Sequence, residues 1–147
     1  MILCDGCVAR GNKVVNSWSV DLYLDNSRNC ILEGNLLRTT SESFSRKGSR
    51  ATAIALGNED WMKPASCIPI VNVTIRNNIG IHTGTGVGYW GVTNYYSAIK
   101  VYHNTFFGNT GAGVSFDKNT IANKTSGNEL RNNVFYCTNK WWCGSIN

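Results

Sequence analysis

The sequence predicts an all-β solenoid of about five or six stacked coils, and three observations lead to this fold class. A short pattern of apolar residues around an asparagine recurs five times along the 147 residues. Short runs of alternating apolar and polar residues follow most copies, as expected of strands with one buried face. Glycine occurs 15 times and proline only twice, a composition that suits many tight turns and few helices.

The repeat reads apolar, any, apolar, any, any, asparagine, any, apolar, and residues 99–106 and 30–37 are its clearest copies. The five corner asparagines are Asn12, Asn35, Asn78, Asn104 and Asn133. They are separated by 23, 43, 26 and 29 residues. A coil of a β-solenoid needs roughly 20–30 residues. The interval of 43 therefore contains either an extra coil or a long inserted loop.

The alternating runs occupy residues 20–25, 53–57, 87–90 and 114–117. Each ends near Asp, Asn or Gly, which supply turns. Each coil should thus contain at least two strands and a sharp corner at its asparagine. No stretch shows sustained helical periodicity, and no apolar run approaches the roughly 20 residues that span a membrane. We therefore expect no membrane insertion.

This repeat resembles that of the right-handed parallel β-helix proteins, which include pectate lyase-like enzymes, alginate epimerases and phage tailspikes. The resemblance covers most of residues 7–136 and implies parallel strands around an apolar core, with an asparagine ladder at one corner. Identical neighbours above and below would satisfy each inward amide. The residues expected to stack in the core are Leu32, Ile75, Val101 and Leu130. An antiparallel sandwich is the alternative fold.

The chain reads as one domain, residues 1–147, with an inserted loop region around residues 39–66. The first predicted coil begins near Cys7, and the residues before it do not form an obvious cap. The ends of a solenoid need caps, because they would otherwise expose core and unpaired strand edges. We therefore expect a segment of a longer β-helix, or a chain capped by a partner. The N-terminus does not have the features of a signal peptide. An extracellular or cell-surface location is nevertheless the expectation.

Six cysteines are present, including a CxxC at Cys4 and Cys7. Zinc sites usually combine such a pair with a second pair or with closely spaced histidines. His82 and His103 are not so placed, so the sequence argues against zinc. Cys7 and Cys30 occupy the same repeat position and should stack as small core residues. A disulfide between them is the alternative.

The net charge of +5 mildly favours an anionic partner. The residues two before each corner asparagine should form an outward row, because side chains alternate across a strand. These residues are Arg10, Glu33, Arg76, Tyr102 and Arg131. Arginine binds carboxylates and tyrosine packs on sugar faces, so the row is a candidate site for a uronate-containing polysaccharide. The alternative is a solvated face in which Glu33 pairs with its arginine neighbours.

The insert is the second candidate site, because long loops on rigid scaffolds tend to carry function. It contains Arg46, Lys47, Arg50, Asp60 and Trp61. Arg46 and Trp61 are candidates for substrate binding. The alternative is that each is an ordinary turn or surface residue.

Resemblance to the lyase branch implies acidic residues that bind Ca²⁺ and a Lys or Arg base. Lys47 or Arg50 would be the base. Asp25, Asp60 and Asp117, which follow comparable runs, would be the Ca²⁺ ligands. The signature segments of pectate lyases and the Asp-Pro-His segment of epimerases do not occur in the chain.

Three functions remain open. The first is a lyase, hydrolase or epimerase acting on an anionic polysaccharide. The second is a non-catalytic carbohydrate-binding segment of a larger cell-surface or tailspike-like protein, and the third is a purely structural segment. Two convergent carboxylates beside a cation would favour the enzyme, whereas a basic, aromatic face with few carboxylates would favour binding. Nucleic acid is not an expected partner, because no dense basic cluster or recognition motif is present.

Overall fold

The protein forms three parallel β-sheets of five strands each. The computed structural model describes residues 1–59, 68–91, 96–116, 126–138 and 143–145. The first sheet contains β1 (Val8–Arg10), β4 (Ile31–Glu33), β7 (Val71–Arg76), β10 (Ser97–Tyr102) and β13 (Glu129–Arg131). The second contains β2 (Lys13–Val15), β5 (Leu36–Arg38), β8 (Ile79–Ile81), β11 (Thr105–Asn109) and β14 (Val134–Cys137). The third contains β3 (Val20–Asp25), β6 (Thr52–Asn58), β9 (Val87–Gly91), β12 (Val114–Ser115) and β15 (Gly144–Ser145).

The chain visits the three sheets in turn, so one strand from each sheet makes a repeat unit. Every strand pairs in parallel with the equivalent strand of the next unit, as β3 does with β6. Among the described strands all pairings are parallel, so the antiparallel sandwich is excluded. The arrangement is consistent with a parallel β-helix or solenoid.

The long interval between Asn35 and Asn78 contains one strand of each sheet, namely β5, β6 and β7. Among the described residues of this interval no additional unit occurs. The connection before β6 contains two 3₁₀ turns, η1 (Glu42–Phe44) and η2 (Arg46–Gly48). The inserted loop region around residues 39–66 stays a prediction, since residues 60–67 lie outside the described part of the chain.

The predicted asparagine ladder is present between the first and second sheets. Each Nδ2 donates to the Oδ1 of the next asparagine at 2.8–2.9 Å, from Asn12 through to Asn133. Each accepting Oδ1 also receives the backbone N–H of the preceding asparagine, so the amides fix the backbone of neighbouring units. The residue before every ladder asparagine has positive φ. Left-handed backbone is costly for most residues and common for Gly, Asn and His, the types found there.

The core lies beneath this corner. Leu32, Ile75 and Val101 form one row on adjacent strands and are fully buried, as predicted. Leu130 continues the row but is 39% exposed, so its assignment to the core was wrong. β13 is the outermost strand of its sheet among the described residues, and Leu130 is therefore covered from one side only.

Glycine interrupts the core row of the second sheet at Gly80, where the repeat calls for an apolar side chain. A methyl group added at Gly80 would overlap the ring of Phe106, its neighbour on β11. Phe106 in turn stacks on Phe135 with ring centroids 6.1 Å apart. The large Phe106 ring thus fills the space that Gly80 leaves vacant, so the exception in the repeat follows from packing.

The cysteines pair locally. Disulfides join Cys4 to Cys7 and Cys137 to Cys143, with Cα atoms 6.0 and 5.7 Å apart. Cys30 is buried as a free thiol. The alternative of a Cys7–Cys30 disulfide is therefore wrong.

Candidate functional site

An open groove lies beside the insert and next to strands β6 and β9 of the third sheet. Two adjoining cavities of about 480 and 350 Å³ form it, and they share Ser49, Arg50 and Thr52. The smaller cavity is also lined by Trp18, Arg46, Lys47 and Trp90. We call the surface made by Trp18, Arg46, Lys47, Ser49, Arg50, Thr52 and Trp90 the tryptophan groove.

The two 3₁₀ turns position the cations of this groove. The side chain of Ser41 accepts the backbone N–H of Ser43 at 3.3 Å, which caps η1. Lys47 adopts left-handed backbone at φ 50°, which turns the chain within η2. The Arg46 N–H donates to the carbonyl of Trp18 at 2.8 Å. This bond ties the insert to the segment before β3, so its cations stay beside the sheet.

Two exposed tryptophans line the groove. Trp18 is 63% exposed, and the Arg46 guanidinium lies 5.4 Å from its ring centroid. Trp90, at the outer face of β9, is 39% exposed and packs against Tyr23 with centroids 5.8 Å apart. Exposed aromatic rings beside a guanidinium offer flat apolar surface and charge together. This combination suits a ligand that has both an apolar face and anionic groups.

The charge of the groove is positive. Arg50 donates from Nε to Glu42 Oε1 at 2.7 Å and from Nη1 to the Gly108 carbonyl at 3.4 Å. Arg46 and Lys47 make no salt bridge within the described part of the chain, and both are exposed. Glu42 is the single carboxylate among the described lining residues. The groove therefore has three cationic side chains and one carboxylate, Glu42, which is already paired with Arg50.

The predicted outward row on the first sheet has a different character. The register aligns Arg10, Glu33, Arg76, Tyr102 and Arg131 across adjacent strands. Glu33 forms salt bridges to both neighbouring arginines, Arg10 and Arg76. These hydrogen bonds, first that of Arg76 and then that of Arg10, lower the pKa of Glu33.

At the other end of the row, Glu129 binds Arg131 at 2.7 Å and accepts the Tyr102 hydroxyl at 2.7 Å. The arginines of this row are therefore largely neutralised by protein carboxylates. The salt bridges of Glu33 agree with the alternative interpretation of this surface, a solvated face on which Glu33 pairs with Arg10 and Arg76. The row is a weaker candidate for anion binding than the tryptophan groove.

The proposed Ca²⁺ ligands can be placed only in part. Asp25 is 1% exposed, and its Oδ1 accepts the Glu59 N–H at 3.1 Å. Its Oδ2 has no hydrogen-bond partner among the described residues. Asp60, Asp117 and Trp61 lie outside the described residues. Within the described residues, no cluster of three acidic groups surrounds Asp25.

Sequence reasoning missed the aromatic half of the groove and a half-buried acid, Asp21, on β3. Trp18 precedes β3, whereas Trp90 lies near the end of β9, so the two tryptophans come from opposite ends of parallel strands. No feature of the sequence pairs them. Burial raises the pKa of Asp21 to about 6, and the Ser17 hydroxyl partly opposes this rise. The Ser17 contact falls short of good hydrogen-bond geometry, since both Asp21 oxygens lack such a bond within the described residues.

In comparisons with known proteins, no family model, curated protein or solved structure matches the chain. A search of the described residues for a helix long and apolar enough to cross a membrane found none.

Proposed function

We propose that the chain is a segment of a right-handed parallel β-helix, related to the pectate lyase-like proteins, that binds an anionic polysaccharide in the tryptophan groove. The observation on which this proposal rests is that Arg46, Lys47 and Arg50 line one cavity together with two exposed tryptophans. The segment would act outside the cell or at its surface, as part of a larger protein with further coils. Binding without cleavage is the function that this geometry supports best.

The groove fits a polysaccharide better than a small molecule. Its two cavities share three lining residues and both open widely to solvent, so together they form one extended open surface. Indole faces pack against the C–H faces of sugar rings, and guanidinium groups bind carboxylates or sulfates with two parallel hydrogen bonds. Trp18 with Arg46 provides both kinds of contact within one sugar length.

The carboxylate count separates binding from hydrolysis. Glycosidases use two carboxyl groups roughly 5–9.5 Å apart. The described lining residues provide Glu42 alone, and it is paired with Arg50. Lytic chemistry with Lys47 or Arg50 as the base and Ca²⁺ on Asp25, Asp60 and Asp117 is the alternative function. It is supported by the position of both basic residues in the groove.

Titration calorimetry with oligogalacturonate, oligoalginate and heparin fragments tests the proposal. Trp18→Ala and Arg46→Ala should each weaken binding about 2–10-fold, the loss expected for one aromatic or cation–π contact. Arg10→Ala is the matched control, because it removes an exposed arginine from the first sheet and should leave affinity unchanged.

Three outcomes would overturn the proposal. A loss in Arg10→Ala equal to that in Arg46→Ala would move the site to the outward row. Absence of binding to all three ligands would remove the glycan hypothesis. Release of unsaturated products that requires Ca²⁺ would replace simple binding with the lytic alternative.

A further inference from the structure

The three cysteines at the start of the repeat array converge. Cys4, Cys7 and Cys30 place their sulfur atoms within 4.8 Å of one another. Cys4 and Cys7 are half-buried, and Cys30 is 1% exposed. This is the one group of three or more potential metal-ligating side chains within the described residues. We infer that, with the Cys4–Cys7 disulfide reduced, these three sulfurs bind one thiophilic cation of the Zn²⁺ class.

The backbone holds the CxxC segment over the next repeat unit. The Arg28 N–H donates to the Cys4 carbonyl and the Ile31 N–H to the Cys7 carbonyl, both at 2.9 Å. The Gly6 N–H returns a bond to the Arg28 carbonyl at 3.0 Å. These bonds join backbone atoms and do not depend on the disulfide. The three sulfurs therefore remain neighbours when the Cys4–Cys7 bond is broken.

The distances between the three sulfur atoms suit a tetrahedral thiolate site. A Zn–S bond of about 2.3 Å places tetrahedral sulfurs about 3.8 Å apart. Sulfur atoms that lie within 4.8 Å reach this spacing by small side-chain rotations. The Cα atoms of Cys4 and Cys7 are 6.0 Å apart, close enough for both to bind one ion. Three protein ligands leave the fourth position of the ion open to water.

Backbone polar groups surround the Cys30 sulfur. The thiol donates to the Arg28 carbonyl at 3.0 Å. The N–H groups of Cys7 and Gly6 lie nearby and would stabilise a metal-bound thiolate.

The redox and metal states exclude one another. A dithiol or phosphine reductant supplies two electrons and breaks the Cys4–Cys7 bond, and two protons from solvent complete the thiols. Zn²⁺ then displaces the three thiol protons into the buffer as three Zn–S bonds form. A bound ion would therefore protect Cys4 and Cys7 from forming their disulfide again. The sequence argument against zinc considered only a second CxxC or closely spaced histidines, whereas stacking brings in Cys30 from 23 residues beyond Cys7.

The test uses the full chain in a Cys67→Ser, Cys137→Ser, Cys143→Ser background, which removes the remaining thiols. After anaerobic reduction, competition with a chromophoric chelator should give one Zn²⁺ per chain, and Cd²⁺ should give a thiolate charge-transfer absorption. Loss of a group that only supports a metal ligand typically weakens metal binding by roughly 10–100-fold. Adding Cys30→Ser, which removes a ligand itself, should weaken Zn²⁺ binding by at least this factor. Cys4→Ser should weaken Zn²⁺ binding in the same way. Because Cys4 is only half-buried, this variant also tests the site if Cys30→Ser does not fold.

Four results would overturn the inference. These are no Zn²⁺ bound by the reduced chain, equal binding by the oxidised chain, undiminished affinity in Cys4→Ser, or reoxidation of Cys4 and Cys7 at the same rate with and without Zn²⁺. The glycan-binding proposal does not depend on this site, so either can fail alone.

Discussion

Replacing Asn104 by leucine removes the fourth of the five ladder asparagines. Asn104 is 1% exposed, and its Oδ1 accepts both the backbone N–H and the Nδ2 of Asn78, at 3.0 and 2.9 Å. In the variant the buried Asn78 N–H has no acceptor, which costs about 1–3 kcal/mol. Loss of the Nδ2 bonds to Ile75, Tyr102 and Asn133 adds about 1 kcal/mol. We therefore expect a loss of about 2–4 kcal/mol of unfolding free energy.

Thermal unfolding followed by circular dichroism measures this loss. For a chain of this size it corresponds to a fall in Tm of roughly 6–12 °C. Asn12→Leu is the matched control, because Asn12 is exposed at the end of the ladder and, within the described residues, donates only to Asn35. Equal losses in Asn104→Leu and Asn12→Leu would refute the claim that stranded amide partners set the cost.

Two further predictions concern an acid and a glycine. Because burial raises the pKa of Asp21 from 3.8 to about 6, the folded protein binds this proton more tightly than the unfolded chain. The contribution of Asp21 to stability should therefore fall as pH rises between these values. The unfolding free energy of Asp21→Asn relative to wild type, measured in urea, should rise over this range, and a difference independent of pH would disprove this. Gly80→Ala should cost about 1–3 kcal/mol by overlap with Phe106. Gly88→Ala, where a new Cβ meets its neighbours at 3.6 Å, should be nearly neutral, and equal losses would contradict the packing account.

The repeat of apolar residues and asparagine predicted the strand register of the first sheet and the ladder, because both depend on features that recur in every unit. The side-chain period of a strand is two, so aligning the asparagines also aligned Leu32 with Ile75. The third sheet was harder to predict, since its strands lie at variable distances from the asparagine. The exposure of Leu130 was missed because repeat position alone does not show whether a row has a further neighbour.

The candidate site was predictable in its basic half only. Arg46, Lys47 and Arg50 are close in sequence, so they were recognised as a cluster. Trp18 and Trp90 reach them from other repeat units, and the sequence gives no pairing between strand ends of different units. The stacking of Cys7 on Cys30 was predicted from their shared repeat position, but the convergence of both sulfurs with that of Cys4 was not.

Backbone and indole N–H chemical shifts, recorded by NMR during titration with an oligouronate, test the central functional claim most directly. The account predicts shifts confined to the tryptophan groove, with the indole signals of Trp18 and Trp90 and the backbone signals of Ser49 and Thr52 moving together. Shifts along β1, β4, β7, β10 and β13 without movement of these indoles would contradict the account, as would a titration that moves no signal.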